Sequence, residues 1–223
     1  MNLSNAEAGH VPRLVILISG SGSNMLAIAD AVDSGQIDAS IVGVICNRPD
    51  AAGVQKARDR NLPTLVIDHK AYASREAFDA ELRQQIDDCD PDLVVLAGFM
   101  RILTADFVQH YEGRLLNIHP SLLPKYQGLN THQRALDAGD NQHGVTVHFV
   151  TAELDDGPNI IQAVVPIQPN DTAADLQQRV HAQEHIIYPI AVKWFAEGRL
   201  KMQGNQAMLD GNPLPASGLV LES

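Results

Sequence analysis

Two residues that could polarise a carbonyl and move a proton, Asn117 and His119, stand two positions apart in the segment 115–124. In a β-strand, side chains two positions apart point to the same face. A neutral amide donor beside an imidazole is suited to hydrogen-bonding a developing oxyanion and to acid–base chemistry. Pro120 follows and should end the strand, and open α/β sheets place their ligands at strand ends. The alternative interpretation is a buried, hydrogen-bonded histidine beside a turn asparagine.

A second candidate is the glycine loop at residues 20–24, Gly-Ser-Gly-Ser-Asn, between a predicted strand and a predicted helix. Its N–H groups and the dipole of the following helix favour an anion. A dinucleotide-binding loop would need a glycine where Met25 stands and an acid at the end of the second strand, where Asn47 stands. No Gly-Lys-Ser/Thr sequence ends the loop, so the nucleoside triphosphate motif is also missing. Ser23 and Asn24 add donors suited to a monophosphate, and the alternative is an ordinary strand–helix turn.

These candidates must be positioned by alternating strands and helices. Apolar runs predict strands at 14–18, 41–46, 63–67, 92–97, 115–118, 145–150 and 160–165. Helical patterns predict helices at 25–34, 51–60, 74–88, 131–138 and 172–197. Ser74 is expected to cap one helix, Asp171 or Thr172 the last, and Pro189 to kink or restart that last helix. Strands that are nearly continuous apolar runs are buried on both faces, so we expect an α/β fold, a mostly parallel twisted sheet with helices on both faces.

The 223 residues are expected to form a single domain at 13–210, with a flexible N-terminal extension at 1–12 and a loose C-terminal tail at 211–223. A formal net charge of −11 argues against nucleic-acid binding, which needs a basic surface. Cys46 and Cys89 form no C-x-x-C pair, which fits a reducing compartment and excludes dithiol motifs. We expect a cytoplasmic protein away from membranes, since the start shows no signal peptide and no apolar run approaches the ~20 residues that span a bilayer.

Four segments, at 14–24, 94–103, 115–126 and 147–158, together resemble the folate-dependent formyltransferases, and the resemblance extends over about residues 13–210. The Asn-x-His-Pro stretch at 117–120 is common to that whole superfamily, whereas the four segments together are much more specific. The resemblance implies a Rossmann-like formyltransferase fold. It also implies direct transfer of a formyl group from 10-formyltetrahydrofolate to the amino group of glycinamide ribonucleotide, in purine synthesis.

The same resemblance implies roles for individual residues. Asn117 and a protonated His119 would donate hydrogen bonds to the oxyanion, and Asp155 would hold His119 in its cationic form and accept or relay the amine proton. The neighbouring Asp156 is the alternative acid, although a solvated turn residue is the better interpretation of it. The positions implied for the ribonucleotide are Gly22, Ser23, Asn24, His181 and Glu184. Those implied for the folate are Arg75, Met100, Arg101, Ile102, Leu103, Asn117, Thr151, Ala152, Glu153, Leu154 and Asp155.

Several histidines of the chain have no role implied in the reaction itself. His181 and His185 lie in a His-x-x-Glu-His pattern, in which two histidines on one helix face can bind zinc. No third ligand is evident, so we expect no metal. His181 also departs from the family, whose members often have Lys or Gln near the phosphate, and Asn130 departs where some relatives have His. We expect His132, His143 and His148 to be structural or surface residues.

Three other functions compete with this one. A formyltransferase that acts on methionyl-tRNA shares the Asn-x-His-Pro stretch and the distant acid, but it is expected to need a further C-terminal domain and a basic surface. A formyltetrahydrofolate hydrolase is expected to carry an extra N-terminal domain. A non-catalytic nucleotide-binding protein of Rossmann-like fold would not need Asn117, His119 and Asp155 together. We therefore expect small-molecule substrates, with 10-formyltetrahydrofolate as co-substrate, and a monomer or homodimer.

Overall fold

The computed structural model describes residues 9–222. Most of the extension expected at 1–12 therefore lies outside the described residues. In the remainder, His10 Nε2 lies 2.8 Å from a carboxylate oxygen of Asp92, and the same oxygen accepts the Arg13 backbone N–H at 2.7 Å. Residues 10–13 are thereby held beside the start of a central strand.

The strands of the described residues form one large sheet and one small sheet. Their bounds are β1 (Arg13–Ile18), β2 (Ser40–Cys46), β3 (Thr64–Val66), β4 (Leu93–Leu96), β5 (Leu115–His119), β6 (Gln142–Phe149), β7 (Asn159–Pro166), β8 (Leu200–Gln203), β9 (Gln206–Leu209), β10 (Asn212–Pro213) and β11 (Leu219–Glu222). The large sheet has the order β11-β7-β6-β5-β4-β1-β2-β3, and the small one β10-β9-β8. In the large sheet, β6 runs antiparallel to both of its neighbours, and the other described pairs are parallel. The mostly parallel sheet is as predicted.

The helices begin with side-chain caps at two of the predicted places. Their bounds are α1 (Ser23–Asp33), α2 (Ala52–Asp59), α3 (Arg75–Asp87), α4 (Ala105–His110), α5 (Thr131–Asp137) and α6 (Ala173–Ala196). Ser74 caps α3, and Thr172 caps α6 in a reciprocal pair with Asp175. Pro189 lies inside α6, which continues through it, so the helix does not restart there. The helix α4 was not predicted, because it has only six residues.

Both faces of the sheet are covered by helices, as alternate residues of β1 show. Leu14 and Ile16 belong to a core layer that includes residues of α1 and α6. Val15 and Leu17 belong to a second layer, with residues of α3 and α4. All four of these β1 residues are fully buried. This two-sided burial explains why β1 is a continuous apolar run in the sequence.

The C-terminal segment forms strands, so the expectation of a loose tail at 211–223 is wrong for the described residues. β10 pairs with β9, and β11 pairs with β7 from Leu219 opposite Ile161 to Glu222 opposite Val164. Leu219 and Leu221 alternate along β11 and pack against the core. β11 thus covers an edge of β7 that would otherwise expose unpaired backbone groups. The large sheet therefore extends beyond residue 210, where the domain was expected to end.

The turn into β11 depends on Gly218. Its φ is +72°, and a Cβ placed there would lie 2.5 Å from the carbonyl carbon of Ile160. We expect Gly218→Ala to combine left-handed strain with a backbone clash and to lower the free energy of unfolding by about 3 kcal/mol. In a domain of this size that loss corresponds to a fall in Tm of roughly 6–12 °C, measurable by circular dichroism.

Gly211→Ala is the matched control for Gly218→Ala. Gly211 has a φ of +78°, but nothing lies within 4 Å of its added Cβ. It should lose only the left-handed strain, about 1 kcal/mol. Equal falls in Tm for the two variants would show that the approach of Gly218 to Ile160 has no importance.

Candidate active site

The candidate site forms where the carboxyl ends of β1, β4 and β5 meet at one edge of the sheet. β1 has β2 on one side and β4 on the other. From β1, the sheet continues through β2 and β3 in one direction and through β4 and β5 in the opposite direction, so the strand order reverses at β1. Such a reversal opens a crevice in α/β sheets and is the usual place for a ligand. The glycine loop follows β1, residues 97–103 follow β4, and His119 is the last residue of β5. The topology therefore brings three candidate segments together.

His119 and Asp155 form the centre of the site. His119 Nδ1 lies 3.4 Å from Asp155 Oδ2, and both side chains are almost fully buried. His119 Nε2 lies 2.9 Å from the carbonyl oxygen of Tyr126. Both ring nitrogens thus face acceptors, and an imidazolium has an N–H for each of them.

Asp155 and Asp156 lie in different environments, although they are neighbours in sequence. The Asp155 carboxylate accepts the backbone N–H of Gly128 at 3.0 Å and is buried. Asp156 is exposed, 3.5 Å from the amide nitrogen of Gln127. Asp155 also has a left-handed φ of +52°, a conformation that is uncommon outside glycine and is found at functional sites. Of the two acids, Asp155 is the one in contact with His119.

Asn117 lies beside a histidine that the sequence analysis did not select. Asn117 Nδ2 is 3.1 Å from Nε2 of His148, on the neighbouring strand β6. Burial lowers the pKa of His148 to about 4. A single buried histidine in a strand gives no signal of such a contact, because the contact depends on the register of β5 against β6.

The glycine loop is tightly folded against the start of α2. Gly22 has a φ of +72°, and a Cβ there would lie 2.9 Å from Cα of Gly53. The Gly53 N–H donates to the carbonyl oxygen of Gly20 at 2.9 Å, and Lys56 Nζ donates to the carbonyl oxygen of Ser21 at 2.9 Å. Lys56 was missed because it stands 35 residues from Ser21 and only the packing of α2 brings it to the loop. The loop therefore combines close backbone turns with a nearby cation.

Two contacts between α1 and α6 join the candidate ribonucleotide residues in pairs. Ser23 Oγ lies 2.7 Å from His181 Nε2, and the Asn24 amide donates to Glu184 Oε2 at 2.7 Å. Asn24 Oδ1 is buried and has no hydrogen-bond partner among the described residues. Burial raises the pKa of Glu184. All five residues implied for the ribonucleotide are in the glycine loop or on the facing turn of α6.

Nine of the candidate folate residues, at 100–103 and 151–155, lie in two loops that present apolar side chains to solvent. Met100 is 68 % exposed, Ile102 59 % and Leu154 52 %. The Met100 N–H donates to Ser19 Oγ at 2.8 Å, which fixes the loop after β4 to the end of β1. Exposed apolar side chains that cluster in loops beside a crevice are typical of a ligand site.

Arg75 and Arg101 are connected through α3. The Arg101 guanidinium lies over the Phe78 ring, 4.9 Å from its centroid, and Arg101 Nε is buried without a partner among the described residues. Arg75 begins α3 one turn before Phe78, and residues three apart share a helix face. Arg75 itself is exposed and pairs with Glu76 at 3.8 Å. Arg75 and Phe78 thus lie on one face of α3, and Arg101 lies over the Phe78 ring.

Two pairs among the other histidines pack on one another. His143 is buried, with Nε2 3.2 Å from Nδ1 of His132. The rings of His181 and His185 lie 4.5 Å apart between centroids. In residues 9–222, no group of three or more His, Cys, Asp or Glu side chains is placed to hold a metal ion. None of the described helices has both the length and the apolar character to cross a membrane.

Asn130 precedes α5 with a left-handed φ of +58°. Asparagine tolerates this conformation better than most residues do. Its side chain makes no capping hydrogen bond to α5. The backbone at this position therefore suits Asn.

Comparisons with known proteins show the family of this chain. Residues 12–192 match the family model described as Formyl transferase. The chain is 55 % identical over 205 residues to the phosphoribosylglycinamide formyltransferase of Escherichia coli strain K12, covering 92 % of this chain and 97 % of that protein. It is 48 % identical over 210 residues to the protein of the same name from Haemophilus influenzae, covering 94 % and 99 %. A solved structure of phosphoribosylglycinamide formyltransferase from Coxiella burnetii has a TM-score of 0.91 and 52 % identity, covering 95 % of this chain and 100 % of that one. The chain belongs to the formyl transferase family.

Proposed function

We propose that this protein transfers the formyl group of 10-formyltetrahydrofolate to the amino group of glycinamide ribonucleotide, in de novo purine (IMP) synthesis. Relatives that match over nearly their whole length carry the name phosphoribosylglycinamide formyltransferase. The observation that carries the proposal for this chain is the buried His119–Asp155 pair at the end of β5, with Asn117 two residues before His119.

The proposed reaction is a direct transfer. The ribonucleotide amine attacks the formyl carbon, a C–N bond forms, and negative charge gathers on the formyl oxygen. Asn117 and His119 donate N–H groups to that oxygen. Asp155 accepts the amine proton, directly or through water. The bond from the formyl carbon to the folate nitrogen then breaks, and that nitrogen leaves with the proton that Asp155 took from the amine, passed on directly or through water, so the carboxylate is restored.

The contacts of His119 indicate which of its N–H groups serves the oxyanion. Nε2 is engaged by the carbonyl oxygen of Tyr126 at 2.9 Å. Nδ1 is 3.4 Å from Asp155, a looser contact than a normal hydrogen bond. We therefore propose the Nδ1–H as the donor to the formyl oxygen, with the Asp155 carboxylate beside the cationic ring until it takes the amine proton.

The ribonucleotide is proposed to bind between the glycine loop and α6. Loop N–H groups and Asn24 would hold the phosphate at the start of α1, where the helix dipole favours an anion. Glu184 would accept hydrogen bonds from the ribose hydroxyls. His181 Nε2, now 2.7 Å from Ser23 Oγ, would donate to a phosphate oxygen. The proposed ribonucleotide residues are Gly22, Ser23, Asn24, His181 and Glu184.

The folate is proposed to bind against the loops after β4 and β6. Exposed Met100, Ile102 and Leu154 supply an apolar surface for the pteridine. Arg101, which lies over the Phe78 ring of α3, and Arg75, the first residue of α3, would hold the acidic tail of the folate. The proposed folate residues are Arg75, Met100, Arg101, Ile102, Leu103, Asn117, Thr151, Ala152, Glu153, Leu154 and Asp155.

The proposed partners are these two small molecules. Both are anionic, and the net charge of −11 provides no long-range attraction for them. Capture must then depend on short-range groups such as the loop N–H groups and Lys56. The same charge argues against a tRNA acceptor. Cys46 and Cys89 are free thiols, which supports the proposed reducing, cytoplasmic compartment. The proposed assembly is a monomer or homodimer.

The function can be tested with purified protein, 10-formyltetrahydrofolate and glycinamide ribonucleotide. We expect release of tetrahydrofolate that requires the ribonucleotide, and a formylated amine detected by mass spectrometry. Release without any acceptor would indicate a hydrolase. Transfer to methionyl-tRNA in place of the ribonucleotide would indicate the tRNA-directed reaction. Either result, or no release with the ribonucleotide, would overturn the proposal.

His181→Ala should raise KM for the ribonucleotide about tenfold and leave kcat within about threefold. A charge-assisted hydrogen bond to phosphate contributes about 1.5–3 kcal/mol, and its loss affects binding more than the transfer step. Steady-state kinetics with varied ribonucleotide measure the effect. His10→Ala, at the opposite edge of the sheet, is the control. A fall in kcat at unchanged KM would argue against phosphate binding by His181.

A further inference from the structure

His148 lies directly opposite Asn117 across two antiparallel strands. The register of β5 and β6 pairs Asn117 with His148 and His119 with Thr146. Opposite residues in an antiparallel pair project to the same face, with Cβ atoms about 5 Å apart. The pairing of β6 with β7 shifts between Val147 and His148, where Ile160 of β7 is the extra residue, so β6 keeps its regular register with β5. The backbone thus directs the buried His148 ring at Asn117.

The surroundings of the His148 ring fix which nitrogen carries the proton. Nδ1 lies 2.8 Å from the carbonyl oxygen of Phe149, which can only accept, so Nδ1 donates. In the neutral ring Nε2 then carries a lone pair and accepts the Asn117 amide N–H at 3.1 Å. The titratable groups that face the ring are Asp155, with Oδ1 3.9 Å from Nε2, and His119. Desolvation outweighs the attraction of Asp155 and keeps His148 neutral.

We infer that His148 is a positioning residue for formyl transfer, whose unprotonated Nε2 fixes the orientation of the Asn117 amide. The inference rests on the proposed function and extends it to a histidine expected to be merely structural. One N–H of the Asn117 nitrogen donates to His148, and the second remains for the formyl oxygen. His148 therefore selects one of the two orientations of the amide.

The orientation matters because an asparagine amide has a donor end and an acceptor end of nearly equal shape. Turned by 180°, the Asn117 carbonyl oxygen would occupy the place of the nitrogen. It would then repel the negative charge that develops on the formyl oxygen, instead of stabilising it. The turned orientation also places an oxygen against the lone pair of His148 Nε2, so His148 disfavours it. Positioning by His148 should therefore affect the transition state more than substrate binding.

Kinetics of two His148 variants and a double-mutant cycle test this. His148→Leu removes the acceptor and should lower kcat about 30-fold, a fraction of what a lost oxyanion donor costs, with KM for both substrates within about twofold. His148→Gln keeps a neutral acceptor and should stay within about fivefold of the parent. In an Asn117→Ala background, adding His148→Leu should lower kcat by less than about threefold, because the amide to be positioned is gone. His110→Gln, a histidine on α4, is the control.

Several outcomes would overturn the inference. One is that His148→Leu lowers kcat as much in the Asn117→Ala background as in the parent. Another is that His148→Gln is no more active than His148→Leu. The last is that His148→Leu raises KM and leaves kcat unchanged. Thermal unfolding of each variant identifies a loss that comes from misfolding.

A readout independent of activity separates this inference from the proposed function. In NMR spectra of protein labelled with ¹⁵N-histidine, the ring-nitrogen resonances that disappear in the His148→Leu variant are those of His148. At pH 7 they should show a protonated Nδ1 and an unprotonated Nε2. A protonated Nε2 would overturn the inference whatever the reaction is. Failure of the unmodified protein to formylate glycinamide ribonucleotide, with the expected signals present, would overturn only the proposed function.

Discussion

Replacing Asp155 with Asn should lower kcat for formyl transfer about 10³-fold while the fold stays intact. The substitution keeps the size of the side chain but removes the charge 3.4 Å from His119 Nδ1. The cationic ring then loses its partner, and the amine loses its proton acceptor. The amide oxygen can still accept the Gly128 N–H, so the loop should keep its shape. Steady-state kinetics and a thermal unfolding curve measure the two parts of this prediction.

Asp156→Asn is the matched control, because it removes the same charge from the adjacent, exposed position. Its kcat should stay within about twofold of the parent, as expected for a solvated surface charge. If Asp156→Asn abolished turnover and Asp155→Asn did not, the assignment of the acid would move by one residue. An equal fall in kcat for both variants would indicate that the total negative charge of the loop determines the rate, and not the contact of Asp155 with His119.

His119→Ala should also lower kcat about 10³-fold, because it removes both an oxyanion donor and the positive charge beside the reacting carbon. KM for the two substrates should change by less than about threefold, since these interactions strengthen only as charge develops on the formyl oxygen. His119→Gln retains a neutral N–H donor and should recover about tenfold over His119→Ala. The comparison separates hydrogen bonding from charge, and steady-state kinetics of the three proteins measure it.

The outcome that would contradict a catalytic role for His119 is a raised KM for either substrate at unchanged kcat. Because His119 is buried, each variant also needs a thermal unfolding curve. A 10³-fold loss with a normal unfolding transition would be the expected result. Activity that returned on refolding at lower temperature would instead indicate a loss of stability.

Much of the fold could be predicted because its signals are local. The apolar run of β1 is continuous, since helices cover both of its faces, and Ser74 and Thr172 cap helices at the expected places. The glycine loop was recognisable from its position between a buried strand and a helix. The role of Asp155, by contrast, came only from the resemblance to a family, because the residue stands 36 positions from His119 and no local pattern connects them.

What could not be predicted depends on register and on packing between distant segments. His148 contacts Asn117 only because β6 pairs with β5 in one register. Lys56 reaches the glycine loop only because α2 packs there. The strand β11 has four residues and follows a Pro- and Gly-containing stretch, so its alternation was too short to predict a strand. Each of these residues has an ordinary sequence environment and acquires its contact from tertiary structure.

The reversed direction of β6 has a consequence for the motions of the site. Because β6 is antiparallel to β5, its interior lies beside the end of β5, and β7 pairs with its other edge. Asn117 and His148 therefore sit within a hydrogen-bonded ladder, whereas residues 99–103 and 150–158 are loops. Amide hydrogen exchange should divide the site accordingly, with slow exchange at β5 and β6 and fast exchange in the two loops. The groups that stabilise charge would then stay fixed through the many local openings by which substrates enter and products leave.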